Sequence, residues 1–312
     1  MDIQFNIDTA CNLNCKYCNS RGFRIFKTPD VIKTINSLFR IYAARPDDKE
    51  HILYFHGGEA SFHKDVVPIL QYIARMRKVF RPRNFAVEFQ TNLSLELAKY
   101  IEIGKCIDAF SISVHYQELK RKGLLDRFAS NLDAIAGRYA IYNLDIMLEN
   151  VDDVDAFHRY ILDRVYKHAK AAKHCEMIYG FYGFGENDEA YEKNIEFYKK
   201  YNLTERTYQW PNMPKPKTTN ELFAGGYNCK GMVCEAGVSG FNVFGNGDVY
   251  RCAAHAYNSM EREKLIHHYG PHKPLFNIKD GITELLEYTK TARECQWLQC
   301  NGDFYIPRYY KK

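Results

Sequence analysis

The chain has 312 residues, of which 46% are hydrophobic and 26% are charged, with a formal net charge of +5. This balance is typical of a globular protein and excludes a disordered or collagen-like chain. No apolar run approaches the ~20 residues of a membrane span, and Met1–Gln4 lacks the features of a signal peptide. The small net charge gives no reason to expect a nucleic-acid partner. We therefore predict a cytoplasmic protein whose ten cysteines stay reduced.

Segments of strand and helix character alternate over residues 1–205. A helix is predicted to begin at Thr28, because Pro29 suits the first helical position and apolar residues follow at helical spacing. The alternation predicts a parallel sheet in a partial (β/α)6 TIM-type barrel, with the chemistry at the carboxyl ends of its strands. The predicted strands are 3–9, 51–55, 85–89, 107–114, 144–148 and 177–182, and further helices are predicted from residue 65 and over 188–201.

The composition changes near residue 206, where the proline-rich run 210–217 cannot continue a helix. We place a domain boundary there and predict two domains, residues 1–205 and 206–312. The second is expected to be a small α+β domain with a β-hairpin over 241–251, its turn at Asn246-Gly247, and a helix over 282–293.

Three cysteines, Cys11, Cys15 and Cys18, follow the first predicted strand with the spacing C-x3-C-x2-C. Thiolates are soft ligands that suit iron–sulfur clusters, and three of them on one short loop can surround one cluster. A four-iron cluster would then keep one iron open for another ligand. The alternatives are three unrelated thiols or a zinc site, for which His56 or His63 would supply the fourth ligand.

This loop resembles the signature of the radical S-adenosylmethionine (radical SAM) enzymes, including the aromatic Tyr17 before the third cysteine. The resemblance implies a [4Fe-4S] cluster on Cys11, Cys15 and Cys18, whose open iron binds the amino and carboxylate groups of SAM. An electron from the cluster would cleave SAM and yield a 5'-deoxyadenosyl radical that abstracts hydrogen from a substrate. A low-potential donor such as flavodoxin or ferredoxin is the expected source of that electron.

Gly57-Gly58-Glu59 ends the second predicted strand and resembles the GGE motif of the same family, with Ala60 where the family commonly has Pro. The resemblance implies that this motif holds the SAM amino group through Glu59. Two glycines would also let the backbone approach a ligand closely and leave amide groups free to bond it.

The next two strand ends also carry polar residues. Gln90-Thr91-Asn92 resembles the family's TNG motif, with Leu93 in place of Gly, and the alternative is a plain polar strand end. Ser111, Ser113 and His115 occupy every second position and therefore share one face of a strand. The resemblance implies that Asn92 and Ser113 contact SAM. His115 is a candidate catalytic residue, with a core histidine as the alternative.

A second group of cysteines lies toward the end of the chain. The order of cysteine, hairpin, cysteine, helix and cysteine pair over residues 229–303 resembles the twitch domain, the shortened SPASM domain of radical SAM enzymes. The resemblance implies one auxiliary [4Fe-4S] cluster, and the alternative is a structural zinc site. Cys229 is either the alternative first ligand of this cluster or a candidate catalytic thiol that faces the substrate. The predicted ligands are Cys234, Cys252, Cys295 and Cys300, whereas Cys106 and Cys175 are predicted to be buried small hydrophobes.

A basic run, Lys120-Arg121-Lys122, follows the fourth predicted strand on the active-site side. Such a run is commonly a solvated loop. Its functional interpretation is an electrostatic contact with an anionic substrate.

The sequence leaves three hypotheses for the function. The first is modification of a peptide or protein side chain. Against it, the first strand begins almost at Met1, which leaves no room for an N-terminal domain that recognises a leader peptide. The second is a dehydrogenase or epimerase of a small sugar or alcohol. The third, of a different class, is a non-enzymatic zinc-binding module, which would be colourless because zinc is d10.

Overall fold

The computed structural model describes residues 1–15, 18, 24–45, 51–80, 85–148, 176–181, 207–208, 217–218, 233–234, 236–252 and 274–294. The strands are β1 (Asp2–Asp8), β2 (His51–Gly57), β3 (Phe85–Thr91), β4 (Ala109–His115), β5 (Ile141–Leu148), β6 (Glu176–Phe181), β7 (Thr207–Tyr208), β8 (Lys217–Thr218), β9 (Val233–Cys234), β10 (Gly240–Phe244), β11 (Asp248–Tyr250), β12 (Phe276–Asn277) and β13 (Arg293–Glu294). The helices are α1 (Thr28–Ala44), α2 (Val66–Phe80), α3 (Leu97–Gly104), α4 (Tyr116–Arg121), α5 (Leu125–Ala136) and α6 (Thr283–Tyr288), with a short 3-10 helix at Ala60–Phe62.

One large sheet organises the fold. Within the described residues it has nine strands in the order β12-β11-β10-β1-β2-β3-β4-β5-β6. Strands β1 to β6 pair in chain order and in parallel, which confirms the predicted succession of parallel strands. The outermost described strands, β6 and β12, do not pair with each other, so the sheet stays open like a partial TIM-type barrel. Two smaller pairs, β7 with β8 and β9 with β13, are antiparallel.

The predicted helix at Thr28 is confirmed as α1. It has Pro29 in its first turn together with the acidic Asp30, and both residues favour a helix start. Its apolar side chains recur at helical spacing and are buried against the sheet: Val31, Ile35, Leu38, Phe39 and Tyr42. Among the described residues, no helix has the length and apolarity that crossing a membrane requires.

The predicted hairpin is also present, but it belongs to the large sheet. Strands β10 and β11 are antiparallel, and Gly247 in the turn has a φ of +91°, which suits glycine. Strand β10 then pairs in parallel with β1, from Asp2 opposite Gly240 to Asn6 opposite Phe244. The division into residues 1–205 and 206–312 stays a prediction, and in this structure the two segments share one sheet.

Helix α6 is shorter than predicted, since it ends at Tyr288 and not near Arg293. The Thr289 hydroxyl donates to the Leu286 carbonyl at 2.7 Å, and Arg293 pairs with Cys234 between β13 and β9. The chain therefore leaves the helix to form a strand pair. The helix predicted over 188–201 lies outside the described residues.

The two faces of the parallel sheet differ in chemistry. One face carries neighbouring aromatic rings, with centroid distances of 5.3 Å for Phe5–Phe55, 6.0 Å for Phe55–Phe89 and 6.3 Å for Phe89–Phe110. Phe85 on this face of β3 packs on Phe39 of α1, so the aromatic face lies under the helices. The opposite face is polar, and one row of it contains, from strand to strand, Asn6, His56, Gln90, Ser111 and Asn143, with His56 and Gln90 joined by a side-chain hydrogen bond.

Candidate active site

The cysteine loop begins directly after β1, as predicted. Cys15 is buried, while Cys11 and Cys18 are half-buried. The Cys18 amide donates to the Cys15 carbonyl at 3.2 Å, and the Leu13 amide donates to Cys11 Sγ at 3.3 Å. Burial, then the charge of Glu59, and in smaller part Cys18 and Cys15 raise the pKa of Cys11 to about 12. The three thiols are thus close enough to influence one another. Tyr17 lies outside the described residues.

Gly57 and Gly58 are required by the close approach of β2 to this loop. A Cβ on Gly57 would lie 2.3 Å from the carbonyl oxygen of Asp8, and one on Gly58 would lie 2.4 Å from those of Thr9 and Ala10. The amides predicted to be free for a ligand are engaged here, since Gly58 donates to Asp8 at 3.3 Å and Glu59 donates to Ala10 at 2.8 Å. The glycines therefore let the end of β2 pack against the residues that precede Cys11. The expectation that amides here are free to bond a ligand is wrong for the amides of Gly58 and Glu59.

The Glu59 carboxylate is buried and links the end of β2 to the end of β3. Its Oε1 accepts from the Ser61 amide at 3.1 Å, from the Ser61 hydroxyl at 2.5 Å and from the Thr91 hydroxyl at 2.8 Å. Its Oε2 accepts from the Asn92 amide at 2.6 Å. Burial raises the pKa of Glu59, while these hydrogen bonds act to lower it. Among the described residues one donor bonds Oε2, which leaves a lone pair for a cationic ligand.

Asn92 connects the end of β3 to the cysteine loop. Its side-chain amide donates to Asn12 Oδ1 at 3.0 Å and lies 3.9 Å from Cys11 Sγ. The next residue, Leu93, has a φ of +54°, and its side chain is fully buried. The backbone thus adopts the left-handed conformation that glycine would adopt more easily. Leu93 therefore differs from the glycine of the TNG motif in its side chain, but its backbone has a glycine-like conformation.

A hydrogen-bonded row of side chains crosses the polar face. Gln90 Nε2 donates to Ser113 Oγ at 2.9 Å, and a side-chain hydrogen bond joins His56 to Gln90. Desolvation lowers the pKa of both His56 and His115 to about 4, so both rings are neutral at pH 7. A neutral His115 of such low pKa is a weak general base. The role of His115 as a catalytic residue stays a prediction, and Ser113 lies on β4 at the two-residue spacing from Ser111 that the sequence predicted.

Comparison with known proteins identifies the family. The model of the Radical SAM superfamily matches residues 5–214, about two thirds of the chain. This chain belongs to the radical SAM superfamily. The match contains the last part of β1, the cysteine loop, the Gly57-Gly58-Glu59 segment and strands β2 to β7.

Solved structures of anSMEcpe share the fold. Native anSMEcpe with bound AdoMet and the Kp18Cys peptide aligns with a TM-score of 0.55 at 14% identity, over 92% of this chain and 81% of that one. Hexahistidine-tagged anSMEcpe with bound AdoMet gives 0.54 at 15% identity, over 93% and 81%. BtrN in complex with AdoMet and 2-DOIA gives 0.44 at 12% identity, over 93% and 82%. A comparison with curated proteins finds no match.

Radical SAM enzymes use a [4Fe-4S] cluster and SAM, and the donors of the cysteine loop fit a cluster better than one zinc ion. Within the described part of the chain, no three Cys, His, Asp or Glu side chains are grouped to hold a single ion. The candidate fourth zinc ligands are also engaged elsewhere: His63 Nε2 lies 3.1 Å from the Phe26 carbonyl oxygen, its Nδ1 accepts from the Asp65 amide, and His56 bonds Gln90.

Sequence reasoning missed two polar groups beside this radical SAM site. Asp8 is fully buried, and neither of its carboxylate oxygens has a hydrogen-bond partner of standard geometry among the described residues. Burial and the charge of Glu59 raise its pKa to about 8, while the Ala10 amide lowers it in part. On β5, the Asn143 Oδ1 atom is buried without a partner in the described part of the chain and lies beside Ser111 in the sheet register. The two-residue alternation that singled out Ser111 and Ser113 could have found Asn143 by the same criterion.

The second cysteine group of this radical SAM protein is described in part. Cys234 and Cys252 are both buried. Between them, the Arg251 side chain donates to the carbonyls of Ala236 at 2.8 Å, of Cys234 at 3.2 Å and of Arg293. Strand β13, which pairs with β9 beside Cys234, ends one residue before Cys295. Cys229, Cys295, Cys300 and Cys175 lie outside the described residues, and Cys106 is half-buried at the end of α3 rather than buried.

Proposed function

We propose that this chain is a radical SAM enzyme that modifies a peptide or protein side chain in the reducing cytoplasm. The observation that carries the proposal is the cysteine loop after β1, bonded through Gly58 and Glu59 to the end of β2, within a chain of the superfamily. The fold likeness to anSMEcpe, whose structure holds AdoMet and a peptide, extends over 92% of the chain and supports a substrate of that kind.

Cys11, Cys15 and Cys18 would hold the [4Fe-4S] cluster at the carboxyl end of the parallel sheet. When bound, the cluster and SAM supply a 5'-deoxyadenosyl radical that removes a hydrogen atom from the substrate. Glu59 Oε2 would accept a hydrogen bond from the SAM ammonium, and Gly57 and Gly58 keep that carboxylate near the loop. Asn92, Tyr17 and Ser113 would complete the SAM contacts.

An auxiliary [4Fe-4S] cluster would lie in a twitch-like or SPASM-like C-terminal segment on Cys234, Cys252, Cys295 and Cys300. The burial of Cys234 and Cys252 supports this assignment. The Arg251 side chain supports it too, because it donates to the backbone carbonyls of Cys234 and of Arg293 in β13. Four thiolates would close the coordination of the cluster, which suits electron transfer to or from the substrate. A flavodoxin-like or ferredoxin-like protein would supply the electron for SAM cleavage.

A polar small molecule such as a sugar or alcohol is the second candidate substrate. The polar face of the sheet favours it, because Asn143 and Ser113 are buried there beside the Gln90 amide. A hydroxyl group of such a substrate would donate a hydrogen bond to the buried Asn143 Oδ1. Without a donor, burial of this oxygen costs free energy.

Anaerobic incubation of the reconstituted enzyme with SAM and dithionite tests both candidates. One pool of peptides and one pool of sugars and alcohols are added separately, with 5'-deoxyadenosine measured by chromatography and products by mass spectrometry. We expect 5'-deoxyadenosine and a mass change in the peptide pool. The variant with Cys11, Cys15 and Cys18 changed to Ala should form none, while the control Cys106→Ala should keep the activity. Cleavage of SAM by the triple variant at the wild-type rate would overturn the radical reaction. A mass change confined to the pool of sugars and alcohols would replace the peptide by a small molecule as the proposed substrate.

A further inference from the structure

The basic run after β4 contacts the cysteine loop through Lys122, whereas its sequence predicted a solvated loop or a contact with an anionic substrate. Helix α4 contains Lys120 and Arg121, and Lys122 follows it directly. We propose that Glu118, Arg121 and Lys122 position the cysteine loop, and that the Lys122 charge makes a cluster bound there easier to reduce. The proposal rests on the cluster assignment to Cys11, Cys15 and Cys18 made above.

Glu118 is the centre of this contact. Its side chain is only 5% exposed, and its Oε1 accepts a hydrogen bond of 2.8 Å from the backbone amide of Asn14. Asn14 directly precedes Cys15. Arg121 donates to both oxygens of Glu118, with Nε to Oε2 at 2.9 Å and Nη2 to Oε1 at 2.6 Å. A two-point contact of this kind fixes the orientation of the carboxylate, and thereby the direction in which the Asn14 amide is held.

Lys122 contacts the loop at a second point. Its Nζ donates to the backbone carbonyl of Asn12 and lies 3.9 Å from Glu118 Oε1. Asn12 directly follows Cys11, so the protein holds the backbone on both sides of Leu13 from one helix. The Asn12 side chain is bonded from the other direction by Asn92 and Ser94, at 3.0 and 2.8 Å. The segment between Cys11 and Cys15 is thus fixed from two sides.

The position of Lys122 also has an electrostatic consequence. An ammonium in contact with the carbonyl next to Cys11 brings a positive charge close to any cluster on that cysteine. Reduction adds a negative charge to the cluster, and a nearby positive charge stabilises the reduced form. Lys122 is one third exposed, so solvent weakens this effect without removing it.

Lys120 provides a matched control. It has the same charge and lies two residues before Lys122, but its ammonium lies over the ring of Tyr116 at 5.7 Å from the centroid. Its replacement removes one positive charge of the run and leaves the contacts of Glu118 and Lys122 with the loop in place.

The electrostatic part is tested on the full-length protein with its clusters, by a redox titration followed by electron paramagnetic resonance. The signal that changes on adding SAM reports the SAM-site cluster. We expect Lys122→Met to keep the iron content and to shift the reduction equilibrium of that cluster toward the oxidised form by roughly three- to tenfold. Lys120→Met should leave the equilibrium unchanged. An unchanged equilibrium in Lys122→Met, or the same shift in both variants, would overturn the electrostatic role.

The positioning part is tested by iron content. Glu118→Ala leaves the Asn14 amide without its acceptor and should lower the iron bound at the SAM site by roughly half or more, since a loosened loop holds its metal less well. Glu118→Gln keeps an acceptor and should restore most of that iron. Equal iron in wild-type and Glu118→Ala protein, with an unchanged SAM-dependent signal, would overturn the positioning role. If Cys11→Ala itself leaves the SAM-dependent signal intact, the cluster assignment fails, and this outcome is distinct from either result above.

Discussion

Asn131 of α5 donates both hydrogens of its side-chain amide to the turn after β3, to the Leu93 carbonyl at 2.9 Å and to the Leu95 carbonyl at 2.8 Å. Leu93 is the residue with a φ of +54°. The helix thus stabilises a turn that the Leu93 side chain alone would disfavour. Asn92, whose side chain lies against the cysteine loop, directly precedes that turn.

Asn131→Ala is therefore expected to destabilise the protein. The change leaves two carbonyls without their donor and should lower the free energy of unfolding by ~2–4 kcal/mol, measured by urea denaturation. The control Ser130→Ala, at an exposed position of the same helix, should change it by less than ~0.5 kcal/mol. An Asn131→Ala protein as stable as the control would mean that the turn does not depend on α5.

Gly58→Ala should displace the cysteine loop. The new Cβ would lie 2.4 Å from the carbonyl oxygens of Thr9 and Ala10, and backbone cannot give way as a flexible side chain can. We expect the loss of about four irons per chain after anaerobic reconstitution. Gly137→Ala is the control, because its nearest contact, the Asp133 carbonyl oxygen, would be 3.6 Å away. Full iron content in Gly58→Ala would show that the loop tolerates the displacement.

Glu59→Gln tests the ammonium contact of that residue. It removes the negative charge that Oε2 offers to SAM, and it places an amide hydrogen near the donating amide of Asn92 if its Nε2 takes the Oε2 position. A charge-assisted hydrogen bond is worth ~1.5–3 kcal/mol, so SAM should bind roughly ten- to a hundredfold more weakly in a calorimetric titration. Glu96→Gln, at an exposed position, should bind SAM like the wild-type protein. Equal SAM affinity of Glu59→Gln and wild type would leave Glu59 with a structural role alone.

The buried Asp8 should make stability fall as the pH rises. Its pKa is raised from 3.8 in the unfolded chain to about 8 in the folded one. Between these values the folded state binds more protons than the unfolded state. The contribution of Asp8 to the free energy of unfolding is therefore complete below about pH 4 and is lost as the pH approaches 8. Urea denaturation at pH 6 and pH 8 should show that Asp8→Asn reduces this loss, by on the order of 1 kcal/mol or more. Asp126→Asn, on the first turn of α5, should keep the wild-type pH dependence. Parallel pH profiles of Asp8→Asn and wild type would contradict the shifted pKa.

The ligands of the auxiliary cluster are distinguished by iron analysis. Cys234→Ala should lose about four irons per chain, and Cys229→Ala should keep about eight, because only Cys234 is assigned as a ligand. The opposite result would exchange the two assignments. If both variants keep about eight irons, neither cysteine is a ligand.

The sequence is sufficient to predict local features and single-strand patterns. The Pro29 helix start, the strand before Cys11 and the alternation of Ser111 and Ser113 are all local signals, and the structure contains each of them. The Asn246-Gly247 turn is likewise readable from a few residues.

Contacts between distant segments could not be predicted in this way. Gly58 faces the carbonyls of Thr9 and Ala10, and Glu118 accepts from Asn14, which is 104 residues away in the chain. Neither partner carries a local signal for the other. The basic run was interpreted as a solvated loop or as a contact with an anionic substrate for the same reason, since the sequence does not show that Lys122 lies beside Asn12.

The pairing of β10 with β1 has a consequence for synthesis on the ribosome. Asp2 is opposite Gly240, so β1 emerges on the order of ten seconds or more before its second neighbour. During that interval one edge of β1 has unpaired amides and carbonyls next to the three cysteines, and such an edge is a site of association with other chains. A nascent chain stopped before residue 240 would expose this edge permanently. Both neighbours of β1 are present only after residue 244 has emerged, and iron that binds Cys11, Cys15 and Cys18 earlier would do so beside an unpaired strand edge.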